Sequence, residues 1–267
     1  MKKVLIISNL ILVCVIMCLL VLKLSGRNNE SPPDNKRSDL STEIPPTTDI
    51  TEATTEEITQ ATTESTTEPT TQATTEFPDS FDLELELLLQ HPELPAGCES
   101  VSLTMILNYL GYDIDKTLIV DQYLVYSDNF VMGYCGEPYS YVGGGCYAPG
   151  MTITANNFLQ ANGNKHTAVN VTGTDFQTLL EYVAAGHPVL IWTTVKMAVC
   201  SKAHYNYDEE GNVYAWDYNE HCVVLSGYDL NAGTVTVYDP IDGIMYRDLE
   251  TFKSIYEQMD EMAIIIK

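Results

Sequence analysis

Positive charge is scarce in this chain. Of 267 residues, 13 are Lys or Arg against 37 Asp or Glu, for a formal net charge of −24. Binding along a phosphate backbone needs clustered Lys and Arg, so nucleic acid is excluded as a partner. No CxxC or HxxxH spacing occurs, which removes the usual zinc-ligand patterns, and no Walker-type glycine loop offers a nucleotide-phosphate cradle. No metal or cofactor is expected.

Long apolar runs are also few. The one at the start, Val4 to Leu22, is interrupted only by Ser8 and Asn9 and follows Lys2 and Lys3. As a helix it rises roughly 28 Å at ~1.5 Å per residue, about the thickness of a hydrocarbon core. Residues 1–25 therefore read as a transmembrane anchor or a signal segment. No convincing small-x-small cleavage site precedes Gly26, which favours an uncleaved anchor with the body of the chain outside the cell. Residues 26–80 are a Thr-, Glu- and Pro-rich tract with near-repeats such as TTES, TTEP and TTEF. Too few apolar residues and too much like charge preclude a packed core there, so the tract reads as an extended stalk.

Residues 81–267 carry the foldable sequence, with 7 basic and 25 acidic residues, or about −18. That length supports one domain with its own core. Phe81 to Leu89 alternates like a short strand or a domain entry. A turn built on Pro92, Pro95 and Gly97 precedes Cys98 and an apolar helix ending at Gly111. Asp113–Tyr126, Met151–Gly163, Thr174–Ala185 and Asp248–Met259 have helical spacing, with Thr174 or Asp175 as a cap. Between the first two lies the Gly- and Tyr-rich stretch Asp128–Gly150, a long loop that reads either as functional, with tyrosines lining a groove, or as a surface loop with stacked aromatics. Cys135 and Cys146 are placed to form a disulfide across it if the domain is extracellular. VLIWTTV is a β-rich run, and Glu210-Gly211-Asn212 is a hairpin turn. HCVVLSGYD and TVTVYDP form an antiparallel pair, and Ala263–Ile266 closes the sheet. Helices first and antiparallel strands after define an α+β domain.

The candidate chemistry gathers at three of these places. Cys98 sits at the first turn of its helix, where unpaired N–H groups and the helix dipole favour thiolate, the nucleophilic form. A cysteine nucleophile needs a base and the base needs an orienter. His221 opens one strand of the hairpin and Asp239 ends the other, so antiparallel pairing brings them together. Pro240 removes a ladder donor and ends the sheet there. Cys222 points to the opposite face and reads as core. His91, His166, His187 and His204 lie in turns or loops.

Three boxes, QHPELPAGCES, EHCVVLSGYD and YDP, with GGGCYAPG between, resemble the bacteriocin-processing, double-glycine-leader peptidase-like group of papain-fold cysteine peptidases. The resemblance spans about Leu85 to Lys267. It implies a papain-like fold with the Cys on the helical part and the His and Asp on the sheet. It also implies Cys98 as nucleophile, His221 as general base and acid, and Asp239 as orienter. Gln90, an ordinary turn residue on its own showing, becomes an oxyanion donor alongside the Cys98 backbone N–H. The expected function is a cell-surface cysteine peptidase that cleaves peptide or peptide-like amide bonds through a thioacyl-enzyme. The alternatives are an acyl transferase or amidase on cell-wall peptides with the same triad, and a non-catalytic surface binding module. The best-known members carry transporter helices and a nucleotide-binding domain behind the peptidase, whereas a single N-terminal anchor is read here. The leader peptide therefore does not follow as the substrate.

Overall fold

A computed structural model describes residues 77–267. The expected anchor and nearly all of the expected stalk lie outside the described residues. Among the described residues no helix is long and apolar enough to cross a membrane.

The chain enters through β1 (Ser80–Asp82) and reaches α1 (Cys98–Tyr109) after an irregular stretch. Then come α2 (Leu118–Gln122), the two-residue strands β2 (Cys135–Gly136) and β3 (Gly144–Gly145), and α3 (Ala148–Ala161). β4 (Ala168–Asn170), α4 (Phe176–Ala184) and β5 (Val189–Thr194) follow. A separate hairpin, β6 (Lys202–Tyr207) with β7 (Val213–Asp217), precedes β8 (Glu220–Asp229), β9 (Thr234–Asp239) and β10 (Gly243–Asp248). α5 (Leu249–Gln258) and β11 (Ala263–Ile266) close the domain. The main sheet has the order β10-β9-β8-β5-β11-β4, with β1 on β8, and all of its pairings are antiparallel. The expected α+β class is correct.

Burial explains the arrangement. β5 is buried along its whole length and β8 at every residue except its two ends, as a strand covered on both faces must be. α1 is buried from Cys98 to Leu107 and lies against β8, where Ser102 Oγ donates to Cys222 O at 3.0 Å. α4 and α5 show narrower apolar stripes. Each starts from an Asp whose carboxylate accepts a first-turn N–H, Thr178 N at 3.1 Å for Asp175 and Thr251 N at 2.8 Å for Asp248.

Three expectations change. The helix expected over Asp113–Tyr126 shrinks to Leu118–Gln122. Asn108 exchanges hydrogen bonds with Ile114, and Asp115 Oδ1 takes Thr117 N at 2.9 Å, so the chain is held in turns until Thr117. The Cys135–Cys146 disulfide does not form. Cys135 stands opposite Gly145, so Cys146, one residue on, faces the other way, and Cys135 Sγ donates to Ser127 O at 2.9 Å. The tyrosines of the long loop do not form the groove wall: Tyr134 and Tyr147 are core, and Tyr141 is 80 % exposed.

Candidate active site

The helix, the strand pair and the turn converge at one end of β8. Cys98, Gln90 and His221 share a cavity of about 320 Å³ whose other walls include Gly143, Gly144, Trp216 and Tyr218. All three polar side chains are buried apart from this opening.

Each is placed by a local reason. Gly97 makes the turn before α1 because a Cβ there would sit 2.8 Å from Leu94 Cβ. α1 has no side-chain cap, so the N–H groups of its first turn stay available, with Val101 N→Gly97 O as the first helical bond. Gln90 is tied to the end of β9 through Gln90 N→Pro240 O at 2.8 Å. Its Nε2 donates one hydrogen to Pro95 O at 2.8 Å, and a primary amide has a second to offer. His221 pairs with Thr193 on β5, and its Nε2 donates to Asp239 Oδ1 at 2.8 Å. That bond fixes the tautomer and leaves Nδ1 as the nitrogen for chemistry.

Asp239 is held ionised. Burial alone pushes its carboxyl up, but the hydrogen bond and charge of His221, with N–H donation from Ile241 at 2.8 Å and Asp242 at 3.2 Å, leave it below the usual carboxylate range. Arg247 adds a cation 3.7 Å from Oδ2.

Cys98 departs from expectation. The helix N-terminus taken by itself favours thiolate, but the whole site pushes the thiol well up, first by burial and then by the charges of Glu99 and Glu220. The Sγ donates to Glu99 Oε2 at 3.3 Å, and Glu99 Oε1 accepts from Cys146 N at 2.7 Å. Neither carboxylate was picked out in the sequence, because a Glu beside a cysteine or at a strand start reads as a solvated polar residue. The available signal was an acidic residue in the first turn of a helix whose later turns are apolar and buried. Trp216 and Tyr218, the aromatic walls, lie at the end of β7 and in the turn that leads into β8, just before the His221 box. Cys98 Sγ and one oxygen each from Glu99 and Glu220 lie within 4.8 Å of one another. The trio has no imidazole, and its sulfur is the group an acyl transfer needs free, so no metal ligand is assigned.

The described geometry brings Cys98, Gln90 and His221 to one opening, with Asp239 behind His221 on its Nε2. Residues 82–264 match the Peptidase_C39 like family. The uncharacterized protein YvpB of Bacillus subtilis is 28 % identical over 202 residues, covering 70 % of this chain and 75 % of that one. A crystal structure from Bacillus anthracis, of a protein assigned as a C39-like peptidase, has 29 % identity and a TM-score of 0.61, covering 70 % of this chain and 97 % of that one. A double-glycine-motif protease from an AMS/PCAT transporter, solved with a leader peptide, stands further off at 18 % identity and a TM-score of 0.41, and covers 70 % and 93 %. With the match spanning most of the chain, this protein belongs to the Peptidase_C39 like family.

Proposed function

We propose that the chain is a cysteine peptidase acting on peptide or peptide-like amides. The observation that carries this reading is the shared cavity. Cys98 and Gln90 face it together with His221, whose far nitrogen is anchored to Asp239 at 2.8 Å. Cys98 Sγ attacks the substrate carbonyl carbon while His221 Nδ1 takes the thiol proton. The oxyanion is met by the Cys98 backbone N–H and the free hydrogen of Gln90 Nε2. His221 then protonates the leaving amine as the carbon–nitrogen bond breaks. Water, deprotonated by His221, hydrolyses the thioacyl-enzyme and regenerates the thiol. Asp239 keeps Nε2–H in place and stabilises the imidazolium throughout.

Residues 1–25 as an anchor and 26–80 as a stalk support display of this domain outside the membrane. Fractionation of the full chain in a bacterial host, with protease shaving of intact cells, tests that placement, and a purely cytosolic product refutes it.

For the activity, the full chain is incubated with a mixed peptide library and the products are read by mass spectrometry. Cys98→Ala should lower turnover by about 10⁴-fold or more while thermal unfolding stays cooperative. Undiminished cleavage by that variant removes Cys98 from the mechanism. Running the same reaction with an added amine separates hydrolysis from transfer, since an amide adduct appears only if the thioacyl-enzyme accepts the amine.

A further inference from the structure

The triad leaves two carboxyl groups beside the nucleophile without a task, Glu99 fully buried and Glu220 half-buried at the cavity wall. Glu99 is fully buried, takes the Cys98 thiol hydrogen on one oxygen and Cys146 N–H on the other. Glu220 Oε1 is buried with no hydrogen-bond partner among the described residues. Both carboxyl groups close on the same backbone point: a Cβ on Gly145 would lie 2.8 Å from Glu99 Oε1 and 2.9 Å from Glu220 Oε2. No Lys or Arg forms an ion pair with either one among the described residues, since Arg247 is spent on Asp239 and Asp242, Lys202 on Asp260 and Lys116 on Glu93. Two carboxylates that close, largely withdrawn from water and with no Lys or Arg beside them, repel one another and favour holding a proton between them.

We propose that Glu99 and Glu220 share a proton against the reacting sulfur, and that Glu99 is a further catalytic residue which sets when Cys98 ionises. This rests on the cysteine-peptidase reading. With one proton on the pair, ionised Glu99 accepts the S–H and the nucleophile rests as a thiol. When the pair takes a second proton from solvent, the opposing charge disappears. The thiol proton passes to His221 Nδ1, and neutral Glu99 turns its own O–H toward the thiolate. The nucleophile is therefore switched on by mild acid, the reverse of an ordinary cysteine.

The groups facing this pair come from every surrounding element. They are Cys98 on α1, Cys146 and Tyr147 before and at the start of α3, Tyr134 on the loop, Asp217 on β7, and His221 and Cys222 on β8. His221 is the sole base among them. Burial first, then the mutual repulsion and Asp217, hold Glu220 well above the carboxylate range. Glu99 is pushed up to about 6, mainly by burial.

The test is the rate of Cys98 alkylation by iodoacetamide in the full chain from pH 4 to 10, read at the Cys98 peptide by mass spectrometry. The wild type should show a limb that falls as pH rises through the region near pH 6, followed by a slow rise only in strong alkali. Glu99→Gln keeps an acceptor for Cys146 N–H but not the charge. It should erase the falling limb and raise the rate at pH 7.5 ten-fold or more. Glu220→Gln should leave that limb and raise the rate above pH 8, because the pair can then reach only one negative charge. Superimposable wild-type and variant profiles overturn the proposal. If Glu99→Gln does not fold, the Glu220→Gln profile decides alone by the same criterion. Peptide cleavage measured on the same samples keeps the two readings apart. A shifted alkylation profile without any cleavage preserves the carboxyl pair and sinks the peptidase, and cleavage with coincident profiles does the opposite.

Discussion

Asp239 and Glu99 are equally dry, at 3 % and 0 % exposure, and both lie beside the start of β8, yet their surroundings charge them differently. Asp239 receives His221, two backbone N–H groups and a nearby guanidinium, and stays an anion. Glu99 receives one backbone N–H and a thiol, faces a second carboxyl group, and its proton is held more tightly than in water. The contrast shows that burial sets the stakes and donors decide the outcome. It also divides labour. A fixed anion suits the partner of an imidazolium, and a group that can gain a proton suits the neighbour of a thiol.

Four measurements break or sharpen this contrast. The largest effect is expected from Asp239→Asn, which should lower kcat about 10³- to 10⁴-fold by losing the tautomer and the imidazolium partner. A loss of only a few-fold would mean that Asp239 is not the orienter. Gln90→Ala comes next, with kcat down about 10²-fold or more and KM little changed; a change confined to KM would place Gln90 in binding alone. Third is the pH dependence of stability. Asp239 has a lowered folded-state value, so its contribution is present above the unfolded range and fades as acid protonates it. Glu99 has a raised one, so the folded state binds the proton more tightly. Folding therefore gains stability as pH falls from about 6 toward the unfolded value near 4.5, and loses it as pH rises. Urea titrations between pH 4.5 and 7 should show that slope in the wild type and a flatter one in Glu99→Gln, by on the order of 1–2 kcal/mol. Equal slopes would erase the difference between the two sites. The smallest effect belongs to Arg247→Gln. The guanidinium is 3.7 Å away and partly solvated, so the change should cost under about 1 kcal/mol and a few-fold in kcat.

What could be read from the sequence follows from distance along the chain. His221 and Asp239 are joined by one hairpin, so antiparallel pairing predicts their meeting, and Cys98 announces itself as a polar interruption at a helix start. α4, α5 and β11 appear within a residue or two of expectation, because caps such as Asp175 and Asp248 are local signals. β10 was missed although it alternates along its length, because Pro240 reads as ending the sheet, whereas the chain turns over Pro240–Asp242 and returns as one more strand. Glu99 and Glu220 were out of reach for a different reason. What makes them unusual is each other and Cys146, 47 residues beyond Glu99, and no local pattern encodes that proximity. Cys98 shows the limit of reasoning from one element. The helix end pulls toward thiolate, and groups from α1 and β8 outweigh it.

The position of His221 on β8 has a dynamic consequence. β8 is hydrogen-bonded along one edge to β5 and along the other to β9. Amide protons from Cys222 to Leu225 should exchange with solvent only when the whole domain opens. Across the cavity from His221, the stretch Glu137 to Gly143 is mostly exposed with few backbone bonds, and it should exchange quickly. The exchange pattern expected is therefore slow behind His221 and fast at the cavity rim. Val142 and Gly143 can then shift at the cavity rim while the imidazole stays where β8 holds it.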